Sequence, residues 1–542
     1  MNGGIGALAV AARSGERVTA DTALVRRLWS HDTTLWPGGM AARTEIANRL
    51  GWLTVARDLR PQASELVWFA RDLRRAGFTR AYLLGMGGSS LAPEVLKGVF
   101  GTGADGLDLT VLDTTDPAAI RAAERDVDLH RAVLVVSSKS GSTIEVESLY
   151  RHFATAVGGR GAQFLAITDP GTTLQRLAWE YRFRRVFTNP PDIGGRYSAL
   201  SYFGLVPAAL LGVDVGRLMD GGIGMARQCA PGIPPAENPG LALGRALAGA
   251  AEAGNDKLTL LLDWRIAALG LWIEQLVAES TGKDGNGIVP VPAELPLAPA
   301  ASYGADRVFV ATSLGADWKP ETAGWLAALE KARHPVVRLH METTYHLGGE
   351  FFRWEFATAV ASALLGLNAF DQPNVQEAKD RTRALLKGLE TTGALPGDGA
   401  AAGGSALAGL LGSLKPGRDY LGILAFLPFA PETDRLMGEV RAALRDRWKV
   451  PVTFGYGPRY LHSTGQLHKG GPASGSFLIV TCDHAEDLPV PGSPWPFSRL
   501  ERAQALGDLA ALAAHGRPVV RLHLPDSTPA SLERLCAQVR AA

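Results

Sequence analysis

The chain has 542 residues, 46% of them apolar and 20% charged, with a net charge of +1. That length exceeds one ordinary core and predicts two main α/β domains with smaller appendages. A near-neutral charge gives no basis for nucleic acid or an anionic membrane surface as partner, so any anion binding must come from local loops.

Residues 1–75 read as helical, with Trp29, Trp36, Trp52 and Trp68 available to pack onto a later domain. The apolar patch Ile5–Ala12 has no preceding Lys or Arg and is too short for a signal peptide. The stretch Leu258–Val277 is broken by Asp263, Arg265 and Glu274, so it reads as a strand and a core helix rather than a membrane span. A cytoplasmic protein without a membrane partner is expected. Cys229, Cys482 and Cys536 are odd in number and far apart, which fits neither a metal knuckle nor a disulfide framework.

From residue 76 the pattern changes. Strand-length apolar runs recur between helical segments at Ala81–Leu84, Leu109–Leu112, Ala132–Val136, Phe164–Ile167 and Val186–Thr188. Strand and helix alternating at this spacing predict βαβ units and a parallel sheet over 76–250. A second set, Leu258–Leu262, Arg307–Ala311, Val336–Leu339, Leu421–Phe426, Phe477–Val480 and Val519–Leu524, predicts a second α/β domain with a C-terminal extension over 251–542. Helices are expected at Leu347–Leu367 and Asn374–Leu389. The Gly- and Ala-rich run Thr391–Ser405 reads as a loop or linker.

The first strand runs into Gly85-Met86-Gly87-Gly88-Ser89-Ser90. A glycine turn between strand and helix gathers free backbone N–H groups at the positive end of the helix dipole, which makes an anion site. Three readings fit it: a dinucleotide fingerprint, a tight structural turn, or a sugar-phosphate loop to which Ser89 adds a donor. The fingerprint is incomplete because Ser90 stands at the third glycine, although Asp113 could serve as the ribose acid. The third strand runs into Ser137-Ser138-Lys139-Ser140-Gly141-Ser142-Thr143. Hydroxyls, one Lys and one Gly crowded at such a junction suit the three oxygens of a phosphate monoester. Ser142 or Thr143 also suits a helix N-cap. Lys139 precedes Gly141, so this is not a P-loop. Two such loops on one parallel sheet favour a phosphorylated small molecule over a dinucleotide.

Gly87-Gly88-Ser89 with Ser138-Lys139-Ser140-Gly141-Ser142-Thr143 resembles the two phosphate loops of the phosphoglucose isomerases. The resemblance implies two sugar-isomerase-type domains, each a parallel-sheet α/β sandwich, after N-terminal helices. It implies isomerisation of glucose 6-phosphate and fructose 6-phosphate through a cis-enediol, without metal or organic cofactor, in a homodimer. Ile193-Gly194-Gly195-Arg196-Tyr197-Ser198 resembles the family segment whose arginine lies over the reacting carbons, a place where a guanidinium stabilises an enediolate without giving up a proton. Gln275–Lys283 resembles the family's base segment, with Glu279 as base. Apolar periodicity through Ile266, Leu269, Trp272, Ile273, Leu276 and Val277 predicts a buried helix there, with Gly282 at its C-terminal end. Glu279 then lies in the last turn, where the helix dipole disfavours a carboxylate and raises its pKa. A plain alternative is a helix-end pair of Glu279 with Lys283.

Phe370-Asp371-Gln372-Pro373, followed by Lys379, resembles a further family element in which Gln372 meets phosphate and Lys379 the ring oxygen. Pro373 suits the first helical position, and Lys379 lies two turns along the same face. The family's ring-opening histidine is expected between base and lysine, yet His334, His340 and His346 have the wrong context. Instead Tyr460-Leu461-His462-Ser463-Thr464-Gly465-Gln466-Leu467-His468 resembles the histidine loop, displaced towards the C-terminus. This arrangement is similar to the isomerase half of bifunctional transaldolase–phosphoglucose isomerases. Either His462 or His468 fits as ring opener, from this subunit or a neighbour. The resemblance thus implies a substrate set of Gly88, Ser89, Ser138, Lys139, Ser140, Ser142, Thr143 and Gln372, and a catalytic set of Glu279, Arg196, Lys379 and His462 or His468. A dual phosphoglucose/phosphomannose isomerase, a non-catalytic sugar-phosphate binder and an NAD-dependent dehydrogenase are the alternatives.

Overall fold

The computed structural model describes residues 15–125, 127–292, 294, 297–398 and 403–542; the Ile5–Ala12 patch and residues 399–402 of the Gly/Ala-rich run lie outside them. Helices Gly15–Trp29, Met40–Ala47, Trp52–Leu59 and Ala63–Arg75 open the described chain. Three of the four tryptophans anchor them: Trp29 and Trp36 donate to the carbonyls of Cys229 and Ala359, and buried Trp52 packs on Tyr197 and Phe352. Trp68 does not, being 58% exposed.

The strands are β1 Arg80–Gly85, β2 Asp108–Leu112, β3 Ala132–Ser137, β4 Phe164–Thr168, β5 Arg185–Thr188, β6 Lys257–Leu262, β7 Val289–Pro292, β8 Arg307–Leu314, β9 Val336–Met341, β10 Tyr420–Phe426, β11 Val452–Tyr456, β12 Gly475–Cys482 and β13 Val519–Leu524. Among the described residues they form three parallel sheets, ordered β2-β1-β3-β4-β5, β7-β6-β8-β9 and β11-β10-β12-β13. Central strands such as β3 are buried along their whole length, as a parallel sheet covered on both faces requires.

After residue 250 the second set of strands divides between two sheets, which meet at their edge strands β7 and β11. Edge strands β7 and β11 went unread in the sequence. β7 reads Val-Pro-Val-Pro, and proline cannot donate to a ladder, which confines it to such an edge. Ala278, Val289 and Val291 of the second unit share one core cluster with Tyr420, Leu424, Tyr460 and Phe477 of the third. Leu488, Val490 and Phe497 of the third unit pack on the first sheet, so the C-terminal unit touches both others. Among the described residues no helix is long and apolar enough to cross a membrane.

Candidate active site

The strand order places β1 beside β3 where the winding reverses, and the crevice beyond the carboxyl ends of such a pair is where open α/β sheets bind ligands. Both loops singled out in the sequence lie there, Gly87–Ser89 after β1 and residues 138–143 after β3. Gly87 has φ +54, and a Cβ on it would lie 2.6 Å from the His462 carbonyl oxygen. A Cβ on Gly88 would lie 2.1 Å from the Gly195 carbonyl oxygen. These glycines therefore bring the histidine and arginine loops against the first sheet.

In the second loop the Ser138 and Thr143 hydroxyls are 3.1 Å apart, the Gly141 amide donates to Ser138 Oγ at 3.1 Å, and the Ser142 hydroxyl donates to Ser140 at 3.3 Å. Thr143 caps the helix Ile144–Ala156 without a side-chain hydrogen bond, so its hydroxyl serves the loop. The Lys139 ammonium pairs with Asp169 and the Pro191 carbonyl, which leaves its backbone rather than its charge to the loop.

Glu279 lies in the last turn of the helix Leu269–Thr281, and its side chain is 7% exposed. Burial raises its pKa above the usual carboxylate value, and Arg196, His462 and Lys283 only partly offset that. Burial, rather than the helix dipole, is the leading cause. Gly282 ends the helix at φ −80, outside the left-handed region. It must be glycine for a different reason: a Cβ would lie 2.5 Å from Leu467 Cα. Lys283 does not pair with Glu279. Its ammonium donates at 2.7 Å to the carbonyls of Asn368 and Asp371 and to the Asp371 carboxylate, and burial lowers its pKa to about 8.

Arg196 is 4% exposed and ties this group together. It donates to Ser280 Oγ (3.0 Å), Gln372 Oε1 (2.8 Å) and the carbonyls of Ala369 (2.7 Å) and Asp371 (2.9 Å), with Glu279 Oε2 at 3.5 Å. Gln372 is the N-cap of the helix Pro373–Thr392 and is exposed. Gln275 donates both to Glu279 Oε2 (3.2 Å) and to the His462 carbonyl (2.8 Å), linking the candidate base to the histidine loop.

A cavity of about 180 Å³ opens beside this group, lined by Ser140, Ser142, Thr143, Glu145, Lys379 and His462 among others. His462 Nε2 lies 2.8 Å from Glu145 Oε1, which also accepts from Gln504 at 2.7 Å. Burial acts to raise the Glu145 carboxyl, but His462, with Lys379, outweighs it and holds the pKa low. His468 is a correction: its ring packs against Phe477 and Tyr460 inside the third unit's core, away from the cavity. Burial pushes its pKa well below the usual value. A larger cavity of about 500 Å³, lined by Trp29, Arg60 and Phe352 among others, lies at the N-terminal helices and holds none of the sequence motifs.

Two residues that hold His462 escaped the sequence reading. Glu145 follows the serine loop directly, but a carboxylate in a helix's first turn reads as dipole compensation. Gln504 belongs to the C-terminal helix Phe497–Ala514, which carries no local motif. Asp113, weighed as a ribose acid, is occupied: it accepts from Ser90 at 3.0 Å and from Arg459 through both oxygens at 2.8 Å. That removes the main support for a dinucleotide site.

A family model described as phosphoglucose isomerase matches residues 77–287. A probable glucose-6-phosphate isomerase of Haloarcula marismortui is 28% identical over 346 residues, covering 57% of this chain and 78% of that protein. The glucose-6-phosphate isomerase of Rubrobacter xylanophilus is 29% identical over 372 residues, covering 58% and 84%. Among solved structures, a hypothetical protein from Thermus thermophilus is similar in fold, with TM-score 0.58 and 24% identity over 68% of this chain and 95% of that one. A glucose-6-phosphate isomerase from Chlamydia trachomatis has TM-score 0.53 and 16% identity over 71% and 88%. Both glycine-bearing loops, the arginine and the glutamate lie inside the region that matches the phosphoglucose isomerase model.

Proposed function

We propose that the protein interconverts glucose 6-phosphate and fructose 6-phosphate by proton transfer through a cis-enediol. The observation that carries this reading is the single hydrogen-bonded group that joins Glu279, Arg196 and Gln372 to the histidine loop through Gln275.

The substrate phosphate binds at Ser138, Ser140, Ser142 and Thr143, with backbone donors from Gly88, Ser89 and Lys139, and with Gln372 turning from Arg196 to meet it. His462 opens the pyranose ring. Glu145 engages Nε2, so Nδ1 is the nitrogen that moves a proton between the anomeric hydroxyl and the ring oxygen. Lys379 stabilises charge on that oxygen. Glu279 takes the proton from C2 as the electron pair moves onto the carbonyl, and returns it to C1. Its raised pKa suits a base that must also give the proton back. Arg196 is planar, permanently charged and, once Gln372 has turned, still fixed by Ser280 Oγ and the carbonyls of Ala369 and Asp371, so it is held in place to stabilise the enediolate. Within one chain Gln275 donates to both Glu279 and the His462 carbonyl, which supports a site in which both act from the same subunit.

The same reading carries a cytoplasmic homodimer with sugar-isomerase-type domains over 76–250 and from 251 onward, the third sheet extending the second; light scattering tests the dimer. The activity is tested by coupling fructose 6-phosphate conversion to glucose 6-phosphate detection. Wild type turns over, and Glu279→Gln loses about a thousandfold or more in kcat. Full activity in Glu279→Gln would remove Glu279 as base, and a silent wild type would sink the proposal.

A further inference from the structure

Three side chains distant in sequence meet where the C-terminal unit packs on the first sheet. Asp116 caps the helix Pro117–Glu124 and accepts from the Ala119 amide through Oδ1 at 2.7 Å. His484 follows β12, and Glu501 lies in the helix Phe497–Ala514. Their side chains are 0%, 4% and 4% exposed. Glu501 Oε2 and His484 Nε2 are 2.7 Å apart. Each residue also has one buried atom with no hydrogen-bond partner: Asp116 Oδ2, His484 Nδ1 and Glu501 Oε1. A buried polar atom left unmet costs about 1–3 kcal/mol, and more when charged, so three such atoms in one cluster call for missing partners.

The spacing says what kind. His484 Nδ1 and Asp116 Oδ2 are 3.8 Å apart. That gap is too wide for a hydrogen bond, so a proton on the imidazole does not bridge it. It suits two ligands of one cation with bonds of about 2.1 Å. One ligand atom from each of the three residues lies within 4.8 Å of the others. Since two ligands with bonds of about 2.1 Å stand at most about 4.2 Å apart, the widest pair closes by roughly half an ångström. Two carboxylates facing one imidazole match the charge of a dication. The nearby guanidiniums are committed elsewhere, Arg121 to Glu486 and Arg502 to Asp398 and Asp483.

We propose that Asp116, His484 and Glu501 form a binding site for a divalent cation of the zinc class, which fastens the helix Phe497–Ala514 to the first sheet. An imidazole with two carboxylates is a nitrogen–oxygen donor set that suits such borderline metals. One turn along that helix, Gln504 accepts from Thr115 at 2.8 Å and donates to Glu145, so the fastened helix is also the one that supports the partner of His462. The ion stands outside the proton-transfer steps and supplies none of their chemistry. No local spacing announces the site, because its residues come from positions 116, 484 and 501.

The test titrates chelator-stripped wild-type protein with Zn²⁺ alone by calorimetry and records X-ray absorption of the Zn²⁺-loaded protein. One ion binds per chain, thermal unfolding moves to higher temperature, and the absorption shows one imidazole among oxygen ligands. Asp116→Asn and Glu501→Gln each weaken binding at least ~10-fold. His523→Asn, which alters the more exposed imidazole beside Asp483, leaves it unchanged. No saturable binding to wild type, an absorption spectrum without an imidazole, or binding lost in His523→Asn but kept in Asp116→Asn would overturn the proposal. The two wild-type measurements decide it even where a variant fails to fold.

Discussion

The first and third sheets wind alike, β2-β1-β3-β4 and β11-β10-β12-β13, yet they hold their functional groups by opposite means. The first presents glycines and hydroxyls at the ends of two adjacent strands, and its serine loop organises itself through bonds within residues 138–143. The third presents His462 after an edge strand, and partners far along the chain hold it: Glu145 on its ring, Gln275 on its carbonyl, and Asp113 on Arg459 three residues before it. A loop that binds through backbone and short side chains is built by local spacing. A loop that must aim one imidazole is built by contacts with other units.

Arg196 lies between the two regions, and Arg196→Ala has the largest expected effect here. It lowers kcat by about a hundred- to a thousandfold, as the loss of a preorganised oxyanion partner does. It also moves the pH profile. As the proposed base Glu279 works ionised, so activity is expected to rise with pH through its pKa, which burial sets above the usual value. Removing the guanidinium that pulls this pKa down shifts the acid limb of kcat/KM to higher pH; an unmoved limb would detach Arg196 from the base. Next, His462→Asn lowers kcat on the cyclic substrate by about a hundredfold, the scale of a lost acid–base group. His468→Asn, in the core of the same unit, keeps kcat within about threefold, because its ring does not reach the cavity. Equal losses in both variants would break the distinction between the two histidines.

Asp113→Asn then tests the long-range hold. It leaves Arg459 buried without its carboxylate, which costs about 3–5 kcal/mol in urea unfolding. Activity at temperatures where the variant stays folded falls through His462, not through phosphate affinity. The smallest effect is expected for Ser140→Ala, one donor among several on a partly open loop. It raises KM about fivefold, the worth of about one net hydrogen bond, with kcat nearly unchanged.

The same contrast decides how much the sequence discloses. Parallel α/β architecture followed from apolar runs alternating with helices, and the serine loop from its hydroxyls. Glu279 was legible in the last turn of a buried helix ending at Gly282, although Gly282 owes its identity to Leu467 rather than to a left-handed cap. The proline-bearing edge strand β7 hid the division of the C-terminal strands into two sheets. Glu145, Gln504 and Arg459 were illegible because their roles exist only across gaps of hundreds of residues. Choosing between His462 and His468 needed the same information: six residues apart in one motif, one faces a cavity and the other an aromatic core.

Conversion of fructose 6-phosphate in D₂O, followed by proton NMR at C2 of the glucose 6-phosphate formed, tests the proton-transfer claim most directly. Wild type incorporates deuterium at C2 from a base that exchanges with solvent, and Glu279→Gln abolishes both incorporation and conversion. Conversion by Glu279→Gln with deuterium still entering at C2 would contradict Glu279 as the group that carries the proton.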